Sequence, residues 1–362
     1  MKLAIHFDFD LSMPTGVGRY GIELTRALAS MGTVPEVWLD RRQEASWKAL
    51  GLDSPVRLYG SPRKLMLDAL PRLWSRASGI DVAHFPGDSI LPVGHGVRRA
   101  ALIHDLGPFR FPGMKAPEDT AVWQARITDV AGRADCILAN SQSTLDDLLE
   151  TFPAVRPKAW LTPLGVDHFL REGTMDRRAP ADGHILAVGI VEPRKNLGRL
   201  FEAYAILAAR DRHVPPLVIA GHDGYRSDEI RAVPAALGIE RMVRFTGYVP
   251  GSTLADLYAG ASCLVHPALY EGFGFTLPEA SSWGLPVAAS GRASIVELFS
   301  KAAYMFDPEE PESIADGITL CLRQGVTPGQ LEERRKLSGT LTWRRCAALT
   351  LEAFERTVSG GS

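Results

Sequence analysis

Short apolar runs, each followed by a stretch with helical spacing, pass along this chain in two successive series, and no other feature restricts its fold as much. Runs at 3–7, 36–39, 82–85, 101–104, 136–139 and 160–162 make the first series; runs at 185–188, 217–220, 243–246, 263–266, 287–289 and 304–306 make the second. Runs so short and so rarely interrupted fit strands buried on both faces, and stretches such as 197–209 and 254–260 carry apolar residues at helical periodicity. Parallel neighbours need crossover connections, so the alternation reads as parallel sheets covered by helices. Between the series, residues 171–183 (REGTMDRRAPADG) are polar and without strong periodicity, as a linker is. The expectation is an α/β chain with two Rossmann-like, doubly wound domains: 1–170, a linker 171–183, 184–341, and a closing segment 342–362. Two such sheets facing one another would place a central cleft at the carboxyl ends of their strands.

Composition removes several classes of function. Forty basic residues against 42 acidic ones give a net charge of −2, so no global field favours nucleic acid as a partner. The four cysteines, Cys136, Cys263, Cys321 and Cys346, are widely spaced and form no C-x-x-C pair. They read as reduced thiols of a cytoplasmic protein, not as a disulfide framework or a metal site, and no metal or cofactor is expected. The opening residues, with Asp8 and Asp10 interrupting the apolar run, read as a strand and not as a signal peptide. No window approaches the roughly 20 apolar residues of a spanning helix, which limits any membrane contact to a peripheral one at the inner face. Residues 61–76 mix basic side chains with Leu, Met and Trp and could rest on an anionic bilayer. An ordinary helix burying Leu65, Met66, Leu70 and Leu73 is the favoured reading, and Pro71 argues against one continuous amphipathic helix.

Gly16, Gly18 and Gly21 satisfy G-x-G-x-x-G, and Asp40 ends a run about 20 residues later, an imitation of a dinucleotide fingerprint. The spacing is wrong, because residues 9–15 intervene between the first strand and Gly16, where a dinucleotide fold makes its tight turn at once. Backbone amides at a helix start, available to a phosphate, describe Gly16 and Gly18 better, with plain helix packing as the alternative.

The most specific segment runs from Pro267 to Ala280 (PALYEGFGFTLPEA): a buried strand ends, a glycine-containing turn follows, and a helix begins near Pro278. Seven residues separate Glu271, on the loop, from Glu279, in the first helical turn. The amides between them suit a diphosphate, and a carboxylate beside them can accept two hydrogen bonds from a ribose diol. The alternative leaves Glu279 as a helix N-terminal charge and Glu271 as a solvated loop residue. Gly189 to Asn196 (GIVEPRKN) follows the first strand of the second series and can present Arg194 and Lys195 to a diphosphate.

Taken with residues 245–249 upstream and 283–287 and 294–297 downstream, this segment resembles the E-x7-E signature of the family-four retaining glycosyltransferases of the GT-B fold. The resemblance implies that Glu279 holds the donor ribose, that Glu271 lies against the transferred sugar, and that loop amides at Phe273, Gly274, Phe275 and Thr276 hold sugar and phosphate. It matches Lys195 to the family's phosphate-binding lysine, but Ile190 stands where many relatives have arginine, so phosphate binding leans on Lys195 and Arg194. It makes His104, at a strand end beside Asp105, a ligand of the donor sugar. Segments 139–143 and 163–167 also match and are assigned to structure, and residues 343–358 are expected to form a helix crossing back to the first domain.

The same resemblance implies a front-face transfer without a covalent nucleophile, with Glu271, His104 and Lys195 acting by position and charge. It is nearest to bacterial mannosyltransferases of surface polysaccharide synthesis, implying GDP-mannose as donor, UDP-sugars behind it, and a glycan or lipid-linked glycan as acceptor. Two alternatives stand beside it: an NAD-dependent oxidoreductase using the Gly16–Gly21 loop and Asp40, and a sugar-nucleotide-binding protein without catalysis. A glycosidase is disfavoured, since its two carboxylates must flank one bond.

Overall fold

The computed structural model describes residues 1–12, 15–59, 72–73, 75–76, 78–169, 180 and 183–360. Most of segment 61–76, and all of the 171–183 linker except Pro180 and Gly183, lie outside them. The described residues form two compact units.

The first unit comprises Met1–Leu106, Ala121–His168 and Leu341–Ser362. Its strands are β1 (Leu3–Phe7), β2 (Glu36–Asp40), β3 (Val56–Tyr59), β4 (Val82–Phe85), β5 (Arg98–Ile103), β6 (Cys136–Ala139) and β7 (Ala159–Leu161), in the order β3-β2-β1-β4-β5-β6-β7. Every neighbouring pair is parallel. β1, β4 and β6 are buried along their whole length, which is why they read as unbroken apolar runs. β3 has no such run. At the sheet edge Val56 is exposed, Arg57 and Leu58 are half-buried and Tyr59 is buried, and the sequence reading passes over the strand.

The last helix, Trp343–Ser359, lies in this unit against the helix Gly16–Ser30. Trp343 fixes its start. The backbone N–H of Trp343 donates to Asp167 Oδ1 at 2.8 Å, its indole N–H donates to His168 Nδ1 at 2.8 Å, and its ring packs on Tyr20. Thr342 caps the helix by accepting from Arg345 N–H. Segment 163–167 thus holds the chain's end, a structural task.

The second unit comprises Gly107–Thr120 and Phe169–Thr340. The sequence reading placed 107–120 in the first domain, but here they group with the second unit, where Phe111 packs on Tyr270. Such a short piece carries no periodicity that would assign it. The strands are β8 (His184–Val188), β9 (Leu217–Ala220), β10 (Val243–Gly247), β11 (Ala261–His266), β12 (Val287–Ser290) and β13 (Tyr304–Phe306), ordered β10-β9-β8-β11-β12-β13 and all parallel. The strand order reverses between β8 and β11. In a doubly wound sheet that switch point is where loops diverge to opposite faces and leave a crevice at the carboxyl ends.

Trp343 is 3% exposed, so Trp343→Ala should cost the first unit roughly 3–5 kcal/mol. The loss would be read as an earlier unfolding transition in a thermal melt; a change under about 1 kcal/mol would show that the last helix is held by other contacts.

Candidate active site

Two loops leave the second sheet at its switch point, one after β8 and one after β11. In the first, Gly189 has φ +149° and lies against Lys195, where an added Cβ would stand 2.9 Å from the lysine Cε. Asn196, in the left-handed region at φ 56°, donates from its amide to Pro267 O and Pro308 O. Leu269 N–H donates to Arg194 O at 2.9 Å, so the two loops are stitched together by backbone as well.

Glu271 lies at the centre of this junction with its side chain only 12% exposed. One oxygen, Oε1, pairs with Lys195 Nζ; the other, Oε2, is 2.8 Å from Arg194 Nη1. Arg194 is itself held by Glu192 at 2.9 Å and donates to Tyr270 O. Burial pushes the Glu271 carboxyl up, but Arg194 and Lys195, helped by His266, more than reverse this and hold it well below the usual carboxylate range. The solvated-loop alternative for Glu271 is therefore excluded. Arg194 and Lys195, expected as a pair facing a diphosphate, are both engaged by Glu271 in this structure.

Beyond Glu271 the chain turns at Gly274, with φ +84° and Ile295 against it, and enters the helix Thr276–Ser282. Phe273 is core, packed on Phe275 and Phe299, so it offers only backbone to a ligand. Glu279 is in the first turn, and its Oε2 accepts from Tyr258 O–H at 2.9 Å. Tyr258 is buried and stacked on Trp283.

The sequence reading missed three residues here. Glu192 and Tyr258 hold Arg194 and Glu279, and nothing in the residue pattern marked either. His266 had a signal, a polar side chain closing a buried strand before Pro267, and was taken only as a strand end. Its Nδ1 is 3.1 Å from Thr276 Oγ1, and its Nε2 is 3.5 Å from Glu271 Oε1.

In the first unit, Gly16 opens the helix Gly16–Ser30, and Thr15 makes no side-chain cap there. Gly21 packs against Phe7 and Phe9, so this glycine serves helix-to-strand packing. Asp40, which the oxidoreductase alternative needs for a ribose, is spent locally. It accepts from the backbone N–H, Nε and Nη2 of Arg42. His104 follows β5, its Nε2 2.7 Å from Pro86 O, and Asn140 donates to its backbone carbonyl. Burial lowers its imidazole to about 4, against the opposing pull of the Pro86 carbonyl. It is therefore neutral near pH 7, with the proton on Nε2. Among the described residues, no group of three or more His, Cys, Asp or Glu could hold a metal ion, and no helix is long and apolar enough to cross a membrane.

Residues 14–168 match the model of Glycosyltransferase Family 4, and residues 178–338 match that of Glycosyl transferases group 1. The chain belongs to the glycosyltransferases that these two models describe. It is 26% identical to the O-antigen chain mannosyltransferase B of Escherichia coli over 94% of this chain and 96% of that one. A serotype-specific mannosyltransferase WbdA of the same species matches 62% of this chain at 26% identity, over 29% of its own length. Among solved structures, a glycosyltransferase from Rickettsia africae superposes with a TM-score of 0.72 at 17% identity, covering 100% of this chain and 99% of that one. S. aureus TarM, in complex with UDP, reaches 0.74 at 12% identity over 98% of this chain and 100% of that one. The fold is GT-B, with two Rossmann-like parallel-sheet units.

Removing one partner from a buried ion cluster strands the other, so Glu271→Gln should cost the second unit roughly 3–5 kcal/mol at pH 7. Because the folded pKa is depressed, this stability is fully present above the ordinary value of 4.5 and is lost as pH falls through the lower folded value. Urea unfolding of both proteins should thus differ most near neutrality and converge below pH 4.5. A constant gap would assign the loss to packing.

Proposed function

We propose that this glycosyltransferase transfers mannose from GDP-mannose, with retention and without a metal ion, to a glycan or lipid-linked glycan in surface polysaccharide synthesis. The observation that carries the donor site is the buried Glu271–Lys195–Arg194 cluster at the sheet's switch point, with Glu279 in the helical turn that follows. A leaving diphosphate needs cationic charge, which Lys195 and Arg194 supply. A ribose diol needs an acceptor, and the Glu279 carboxylate is one.

Retention is the family's chemistry, and Glu271 suits the front-face form of it. A carboxylate held between two cations is a weak nucleophile, so it serves charge and position. In this route the acceptor hydroxyl loses its proton to a donor phosphate oxygen. Its oxygen bonds to the anomeric carbon as the bond to the diphosphate breaks, on the same face. Mannose as the sugar rests on the E. coli mannosyltransferase that aligns along almost the whole chain. UDP bound to TarM keeps uridine nucleotides in the test. A cytoplasmic site of action accords with four buried cysteines that form no disulfide. Peripheral contact at the inner membrane face is proposed with it, since the proposed acceptors include a lipid-linked glycan.

Calorimetric titration with GDP, UDP, ADP and NAD, without added metal, tests this reading. GDP should bind best, and Glu279→Ala should weaken it about 10- to 100-fold, the loss of hydrogen bonds to a charged acceptor. Binding of NAD alone, indifferent to Glu279, would restore the oxidoreductase.

A further inference from the structure

His266 closes β11 at 3% exposure, between Thr276 and Glu271, and the proposed reaction gives it no role of its own. Its protonation pattern is fixed by its neighbours. Glu271 is ionised, so its oxygens only accept, and the ring nitrogen facing it at 3.5 Å, Nε2, must be the N–H. Burial lowers the His266 imidazole below its ordinary value, Glu271 opposes this, and Lys195 and Arg194 push it further down. The ring is therefore neutral, and Nδ1 carries a lone pair. Thr276 Oγ1, 3.1 Å away, has to donate its hydroxyl proton to that lone pair. What Thr276 then has left to offer a ligand is lone pairs.

We propose that His266 is a positioning residue that makes the Thr276 hydroxyl an obligate acceptor for a hydroxyl of the donor sugar, and that braces Glu271 when Lys195 turns to the donor phosphate. The first part follows from hydrogen-bond accounting. A hydroxyl with its proton committed repels a phosphate oxygen and attracts a sugar O–H. The second follows from Glu271 Oε1, which lies between Lys195 Nζ and His266 Nε2. The imidazole N–H makes no hydrogen bond of good geometry in this structure, and it can close on Oε1 once Lys195 moves to the phosphate. The inference rests on the transferase reading and adds to it the direction of one hydrogen bond to the sugar.

The test uses the full chain with GDP and GDP-mannose, and with UDP and UDP-glucose. Three variants separate the two roles: His266→Asn keeps an acceptor near the Nδ1 position, His266→Gln keeps a donor near Nε2, and His266→Phe keeps neither. Nucleoside diphosphate affinity should hold in His266→Gln, which keeps the donor that braces Glu271, and fall about 10-fold in His266→Asn and His266→Phe, which lose it. The additional affinity contributed by the sugar should fall about 10-fold in His266→Gln and in Thr276→Val, the loss of one hydrogen bond, and stay nearest to the wild-type value in His266→Asn. Nitrogen NMR of the ligand-free protein at neutral pH should show His266 uncharged, with the proton on Nε2. A proton on Nδ1, or an unchanged sugar increment in His266→Phe, would overturn the inference while leaving the transferase reading intact. Failure of the wild type to bind any of the four ligands would overturn the transferase reading, and the sugar role of His266 with it.

Discussion

A carboxylate taken out of water needs its charge answered on the spot, and in the second unit that requirement is met at Glu271 by residues from another loop. Glu192, Arg194, Lys195 and Glu271 form a cluster of two cations and two anions whose side chains are 4–14% exposed. The cluster is neutral as a whole, which is how it can be buried at all. Its cost and its gain are both large, so neither loop after β8 nor loop after β11 is free to wander without stranding a charge. The left-handed backbone at Asn196 and Gly274, and the hydrogen bond from Leu269 N–H to Arg194 O, are the backbone side of the same constraint.

A neutral cluster also sets terms for any anionic ligand. A diphosphate arriving at Lys195 meets a cation already satisfied by Glu271, and it competes with that carboxylate before it gains anything. Affinity for a bare anion is reduced by this competition. A ligand that also gives Glu271 a replacement partner, as a hydroxyl-bearing sugar next to the phosphate would, removes part of the penalty. In the proposed reaction the same geometry would favour a nucleotide that still carries its sugar over the nucleotide alone, a useful bias for an enzyme that must release its product.

The strands were legible in the sequence because parallel strands buried on both faces leave unbroken apolar runs, and β1, β4 and β9 lie where their runs lie. β3 was not, since an edge strand that runs from exposed to buried over four residues leaves no such trace. The residues of the Pro267–Ala280 segment were legible as a set because their order along the chain carries the chemistry. Their partners were not. Tyr258 meets Glu279 across 21 residues, and Lys195 meets Glu271 across 76, and both distances are closed by topology alone. Residue type announced the charges; only the strand order could say that the two basic residues and the first carboxylate belong to one cluster.

The two strand-end histidines show what such a site can and cannot do. His104 in the first unit and His266 in the second are both enclosed, and burial drives both below the ordinary imidazole value. Each has its Nε2 turned to an oxygen that only accepts, Pro86 O in one case and Glu271 Oε1 in the other. Each is therefore a neutral ring with its lone pair on Nδ1. A ring whose conjugate acid forms only in acid is poorly matched to general catalysis at neutral pH, where the useful pKa lies near the operating pH. What such a ring does well is accept from hydroxyls, directly or through a neighbour such as Thr276. In the proposed reaction these two rings would serve recognition of a hydroxyl-rich ligand, and proton transfer would be left to the reacting groups themselves.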